Sequence, residues 1–198
     1  MTHIVLIGAG HTHVGVLRAY AANGAPDARI TLVSPHPRLY YSGMLPAHVA
    51  GHYARAELAI ETGGLLNQLG AAFISTNVIG FDGTTLTLAD GQRLAGDIIS
   101  FDIGTAPSAF GHDHPERVVP VKPVEALLTG LARFEHGLNQ DDRARRLAVI
   151  GGGAGGVELM LSLAYRYGGR PDRPVLDLVA RSGVMAGGPA PVRRALSR

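Results

Sequence analysis

Apolar residues in this chain come in short runs that stop at glycine. Residues 3–7 (His-Ile-Val-Leu-Ile) form the first run, and Gly8 ends it. A β-branched run closed by glycine predicts a strand buried on both faces, as in parallel sheets. From residue 13 to 22 the period lengthens, with Val14, Leu17 and Ala21 at helical spacing. Asn23-Gly24 closes that helix and Pro26 follows. Residues 30–33 repeat the buried-strand pattern, so the opening reads as one βαβ unit.

The middle of the chain is more broken. Residues 35–46 hold two prolines near their start and a third at their end, and read as irregular, with a short helix starting at Pro46. Residues 59–69 read as helical. Residues 72–75 and 77–81 read as short strands. Residues 84–88 and 93–94, joined through Asp90-Gly91, read as a hairpin. Residues 97–101 are another buried-type strand, and 110–123 a loop rich in His and Pro. Residues 124–138 carry Leu127, Leu128, Leu131 and Phe134 on one helical face. After a polar connector, strand 147–150, helix 155–167 and strand 175–180 form a second βαβ unit. The fold class is therefore α/β. Two strand–glycine–helix openings in one chain place a domain boundary near residue 145, giving expected domains 1–145 and 146–198.

Composition narrows the function classes. The chain of 198 residues is 46% hydrophobic and 17% charged, a globular balance, and its 27 glycines imply many tight turns. Net charge is only +2 and aromatics make up 6%, so no dense basic and aromatic stripe for nucleic acid exists. The absence of cysteine excludes disulfides, thiolate metal sites and a redox-active cysteine pair, and suits the cytoplasm. No apolar run reaches the roughly 18 residues that a transmembrane helix needs.

The two glycine turns carry the candidate chemistry. The first is Gly8-Ala9-Gly10-His11-Thr12-His13. Gly8 permits the turn out of the strand. Gly10 would let a diphosphate approach the backbone at the helix start, where N–H groups and the helix dipole favour anions. His13 stands where glycine or alanine is usual. The next strand ends at Ser34 rather than at an acid, and Ser34 is the candidate ribose partner. From these residues alone, a phosphate cradle and a plain parallel-sheet turn both stand. The second turn fits fully: Gly151, Gly153 and Gly156 take the three glycine positions between a strand and a helix. Its second strand ends at Ala180-Arg181 without an acid. Arg181 reads either as a partner for a 2′-phosphate or as an ordinary surface residue.

Taken together, these residues resemble the FAD-dependent pyridine nucleotide-disulfide oxidoreductase superfamily. The likeness is to its type II NADH dehydrogenase-like branch, and to the flavoproteins associated with selenophosphate synthetase. The resemblance rests on the first turn with its His-x-His ending, and on Tyr41 to Pro46 and Gly51-His52-Tyr53. It rests equally on Asp102 to Pro107, Val121-Lys122-Pro123 and Gly151 to Glu158. It implies a Rossmann-like, three-layer FAD-binding fold with a β-hairpin insertion, followed by the start of a second Rossmann-like NAD(P)-binding unit. Gly8, Gly10, His11 and His13 would then line the FAD diphosphate. Ser42 and Gly43 would present backbone to the flavin, and Gly104 and Thr105 would cover it. Gly151, Gly153 and Gly156 would hold NAD(P)H. The catalytic candidates are Lys122, matching a lysine near the flavin, and Glu158, matching a glutamate on the first turn of the second helix. Without the resemblance, Lys122 is a surface lysine and Glu158 a helix-start acid.

The implied activity is hydride transfer from NAD(P)H to FAD, with a small-molecule acceptor such as a quinone. Members of the family continue well beyond this length, so a truncated form is expected, with a partner chain or a second copy completing it. The rival reading is a non-catalytic nucleotide-binding module that needs a partner. Histidine pairs at 11/13, 48/52 and 112/114 raise a metal site, but they lack carboxylate partners, and none is expected. His48 and His52 are spaced to share a helix face.

Overall fold

The structure is a computed structural model and describes residues 1–105, 117–138 and 145–196. In chain order its elements begin with β1 (Thr2–Ile7), α1 (His11–Asn23), β2 (Ala28–Ser34) and β3 (Arg38–Tyr40). A 3-10 turn at Ser42–Met44 leads into α2 (Leu45–Val49), and another at Arg55–Leu58 leads into β4 (Ala59–Glu61). Then come α3 (Gly63–Gln68), β5 (Ala72–Ser75), β6 (Val78–Phe81), β7 (Thr85–Leu88), β8 (Arg93–Ala95) and β9 (Ile98–Phe101). The remaining elements are α4 (Val124–Leu138), β10 (Arg146–Ile150), α5 (Ala154–Tyr167), β11 (Val175–Val179) and α6 (Ala190–Leu196).

The chain divides into two compact units, residues 1–41 with 59–109, and residues 42–58 with 110–198. This division differs from the boundary read from the sequence. Segment 42–58 and helix α4 group with the second glycine turn because α2 packs on α5, where Arg166 donates to the Val49 carbonyl at 3.2 Å.

The first unit has three layers. Its central sheet is fully parallel, in the order β5-β2-β1-β9. Side chains alternate across it, as the period of two requires. Ile4, Leu6, Ile30 and Leu32 face Leu17 of α1 and Leu66 of α3. Val5, Ile7 and Val33 face Leu86 and Leu88 of an antiparallel sheet, β6-β7-β8, on the other side. The hairpin expected over 84–94 thus extends by β6 into a three-stranded layer. Strands covered on both faces are why residues 4–7 and 30–33 are mainly apolar, and the buried polar pair His3 and Thr31 is satisfied by a mutual hydrogen bond of 2.9 Å.

Two local expectations are corrected. Residues 59–69 are not one helix. Ala59–Glu61 pairs antiparallel with Arg38–Tyr40, inside the stretch read as irregular, and Arg38 forms an ion pair with Glu61. Strand pairing with a distant segment overrides local helical spacing. Residues 190–196, beyond the last element expected from the sequence, form α6.

The second unit holds the two parallel strands β10 and β11, with Ile150 opposite Val179. Tyr167, the last residue of α5, is fully buried and its hydroxyl donates to Glu135 of α4 at 3.2 Å. Arg166 pairs with the same carboxylate. Burial and the Glu135 charge push the Tyr167 hydroxyl up, and the hydrogen bond to Glu135 pushes Arg166 up. These shifts mark a structural anchor between α4 and α5. Leu17→Ala is expected to destabilise the first unit by about 2–5 kcal/mol, because Leu17 has no exposed surface to lose. Urea denaturation followed by circular dichroism measures it.

Candidate functional site

The first turn is built where three parallel strands end side by side. Gly8 leaves β1 at φ +86° and its N–H donates to the Val33 carbonyl at 2.8 Å. Across β1, the Asp102 N–H donates to the Ile7 carbonyl at 2.8 Å. Asp102 then turns its carboxylate onto the start of α1. Its Oδ2 accepts from the His13 main-chain N–H at 3.0 Å. Gly10, at the N-cap, has no side chain to perform that role.

This arrangement gives Gly10 a different reason from the one expected. A Cβ at Gly10 would stand 2.3 Å from Asp102 Oδ2, and one at Gly8 2.4 Å from the Asp102 carbonyl oxygen. Both glycines are required by Asp102, so Gly10 does not leave open space on that side. His13 likewise has a structural role. Its ring is buried, with Nδ1 donating to the Gly8 carbonyl at 2.7 Å. In the neutral ring Nε2 then accepts from the Ser100 hydroxyl at 2.9 Å. Imidazole therefore braces the turn where a third glycine would let helix and strand close up.

The turn still has donors to offer. No described residue bonds the main-chain N–H of His11 or Thr12, and both residues are exposed. The His11 ring leans on Tyr41 with centroids 4.8 Å apart. Ser34 ends β2 beside the turn and is buried. Gly104, at φ +70°, and Thr105 follow Asp102 in the same unit. The first turn thus fits a diphosphate with two free amides, alongside one carboxylate that opposes it.

The second turn is more open. Gly151 leaves β10 at φ +125° and its N–H donates to the Val179 carbonyl at 2.8 Å. A Cβ at Gly156 would stand 1.8 Å from the Gly151 carbonyl oxygen, so the third glycine is a packing requirement. A Cβ at Gly153 would meet nothing within 4 Å. The turn lines a cavity of about 440 Å³, with Ala180, Arg181, Ser182 and Gly183 on its other side. Residues 183–188 fold back over the turn, where the Met185 N–H donates to the Gly152 carbonyl at 2.7 Å. Gly151, Gly153 and Arg181 therefore meet in one place.

Other expected residues are scattered. Ser42 and Gly43 lie in the 3-10 turn before α2, and Lys122 is exposed next to a cis Pro123 ahead of α4. Glu158 is on the second turn of α5, since the helix starts at Ala154, so its expected place on the first turn is corrected. His48 and His52 do not share a helix face, because α2 ends at Val49. His48 Nδ1 donates to the Tyr53 carbonyl, and His52 lies against Tyr165. The pair 112/114 lies outside the described residues. Among the described residues, no three His, Asp or Glu cluster as a metal site, and no helix is long and apolar enough to cross a membrane. Sequence reasoning missed Asp102 and Ser100 as partners of the first turn, and Ser182 to Gly188 as a cavity wall. An acid directly after a strand, with glycine at the N-cap of the helix it serves, was the available signal for Asp102.

No protein-family model matches the chain, and no curated protein matches it. Solved structures do. The sulfide:quinone oxidoreductase of Aquifex aeolicus aligns over 100% of this chain and 48% of its own, with 23% identity and a TM-score of 0.71. The water-forming NADH oxidase of Lactobacillus brevis, bound to NADH, aligns over 100% of this chain and 44% of its own, with 20% identity and a TM-score of 0.74. An engineered water-forming NADPH oxidase made from it, bound to NADPH, aligns over 98% and 43%, with 20% identity and a TM-score of 0.75. That enzyme carries consecutive Asp-to-Ala, Ala-to-Arg and Met-to-Ser substitutions among its changes. At these identities the likeness establishes the fold, and the chain spans less than half the length of each of these neighbours.

Gly156→Ala is expected to destabilise the second unit by about 1–3 kcal/mol, because the added methyl would meet a backbone carbonyl. Gly153→Ser is expected to leave stability within about 0.5 kcal/mol, because serine caps a helix well and has room there. Thermal melts of the two variants beside the parent distinguish these roles.

Proposed function

We propose that this chain is the nucleotide-binding front part of an FAD-dependent NAD(P)H oxidoreductase. One observation carries the reading: a three-layer parallel fold and a second βαβ unit each present a glycine turn, with free amides at the first and an open cavity at the second. On this reading residues 1–145 serve the flavin and 146–198 the donor. The main-chain N–H groups of His11 and Thr12 would hold the FAD diphosphate, with Gly8, Gly10 and His13 shaping the turn. Ser34 would meet the ribose, and Ser42, Gly43, Gly104 and Thr105 would lie along the flavin. Gly151 and Gly153 would hold the donor diphosphate, with Gly156 setting the helix against the strand. Bound FAD would supply a hydride acceptor for reduced nicotinamide. Lys122 would place positive charge near the flavin, and Glu158 would lie at the nicotinamide.

The neighbours support the coenzymes and suggest the acceptor. Two of them are described with NADH or NADPH bound, and one is a sulfide:quinone oxidoreductase. A quinone is therefore our candidate acceptor, the cytoplasm our candidate location, and a partner chain or second copy our candidate for completing the site. The Ala-Arg-Ser run that the engineered NADPH oxidase gained by substitution stands in this chain as Ala180-Arg181-Ser182.

A second reading, a nucleotide-binding module without catalysis, is favoured by Asp102, whose carboxylate already occupies one amide of the first turn. Titration of the purified chain with FAD, followed by anaerobic NAD(P)H, separates the two. A yellow protein that bleaches on reduction supports the oxidoreductase. A yellow protein that stays coloured supports the module, and a folded chain that refuses FAD sinks both. Asp102→Asn keeps an acceptor for the His13 N–H without the charge, and is expected to bind FAD more tightly than the parent. Gly10→Val is not a clean probe, since its side chain would collide with Asp102.

A further inference from the structure

The cavity at the second turn has one charged lining residue, Arg181, and no aspartate or glutamate. That asymmetry bears on which dinucleotide enters. A ribose with both hydroxyls free is recognised by an acceptor, in dinucleotide folds an acid at the end of the second strand. In this chain β11 ends at Val179, and the next residue is Ala180. The one acid of β11, Asp177, lies earlier in the strand and pairs with Arg146 at 2.7 Å. Nothing on this wall accepts hydrogen bonds from a ribose diol through a carboxylate.

Resting on the reading that this turn holds the donor, we propose that the donor is NADPH rather than NADH. Its 2′-phosphate is received by the Arg181 guanidinium and the Ser182 hydroxyl. Arg181 is exposed and makes no hydrogen bond or ion pair with a described residue, so its fork of donors is free. Ser182 adds a short donor beside it. Gly183, at φ +92°, turns the chain directly after this pair, and the Met185 contact to Gly152 closes residues 183–188 over the glycine turn. The cation and the amides of the turn thereby line the same cavity. A 2′-phosphate gains charge-assisted bonds from a guanidinium, whereas a bare 2′-hydroxyl leaves Arg181 without an anion. The missing acid acts in the same direction, because a carboxylate at position 180 would repel the phosphate.

The test is equilibrium binding of NADPH and NADH to the 198-residue chain by calorimetry, with circular dichroism to verify folding. The parent is expected to bind NADPH about tenfold or more tightly than NADH. Arg181→Ala is expected to weaken NADPH by about ten- to hundredfold and leave NADH within about twofold. Gly153→Val, whose added Cβ meets nothing within 4 Å, is expected to lose both with an unchanged spectrum. Equal or tighter binding of NADH by the parent overturns the proposal. So does an Arg181→Ala variant that weakens both coenzymes alike, which would put Arg181 on the shared diphosphate. Binding of neither dinucleotide by the folded parent overturns the donor reading itself, an outcome distinct from a failed preference.

Discussion

Parallel pairing of β1 with a strand on each side is the constraint from which the first unit follows. It aligns the ends of β2, β1 and β9 so that Val33, Gly8 and Asp102 lie at one edge, tied by two main-chain hydrogen bonds of 2.8 Å. Side-chain alternation then sends Leu6 and Leu32 to one face and Val5, Ile7 and Val33 to the other. Helices cover the first face and an antiparallel sheet the second. The carboxyl edge of such a sheet is where the helix starts gather, and with them the donors that attract anions.

The two glycine turns solve one geometric problem with different chemistry. In the second, Gly156 lies so close to the Gly151 carbonyl that no side chain fits, and helix and strand close up directly. The first replaces that contact by a side-chain brace. His13 fills the gap, bonding Gly8 below the turn and Ser100 on β9, while Asp102 caps the helix from outside. The set is mutually dependent: the glycines make room for Asp102, and Asp102 satisfies the amide of the residue whose ring supports the turn. Its cost is a negative charge at a helix start that would otherwise be wholly receptive to a diphosphate.

The second unit is held by different means. The Glu135, Arg166 and Tyr167 group ties α4 to α5, and the Arg166 contact to the Val49 carbonyl brings in α2. The partly buried Glu135 carboxylate accepts from both Arg166 and the buried Tyr167 hydroxyl, and its removal would leave that hydroxyl unpaired. Segment 42–58 groups with this unit although it is flanked in sequence by strands of the first. The glycine turn at 151–156 is thus mounted on an α5 fixed at its far end.

The sequence by itself determined both βαβ units. A buried strand, a glycine and an amphipathic helix are each written over a few neighbouring residues, and helices 124–138 and 155–167 were legible from their own spacing, the second starting one residue earlier in the structure. It also marked Gly151, Gly153 and Gly156 at fixed offsets from the end of β10, and Arg181 just past the end of β11, and the parallel pairing of those two strands sets their ends side by side. Only the tertiary structure decided that residues 59–61 form a strand, that Gly10 faces Asp102, and that His13 belongs to the brace. Asp102 and His13 are 89 residues apart, and β3 reaches β4 across an excursion through the other unit. Contacts of that separation leave no period in the chain. They exist only once hydrophobic burial has fixed the layers and brought unrelated segments to the same edge.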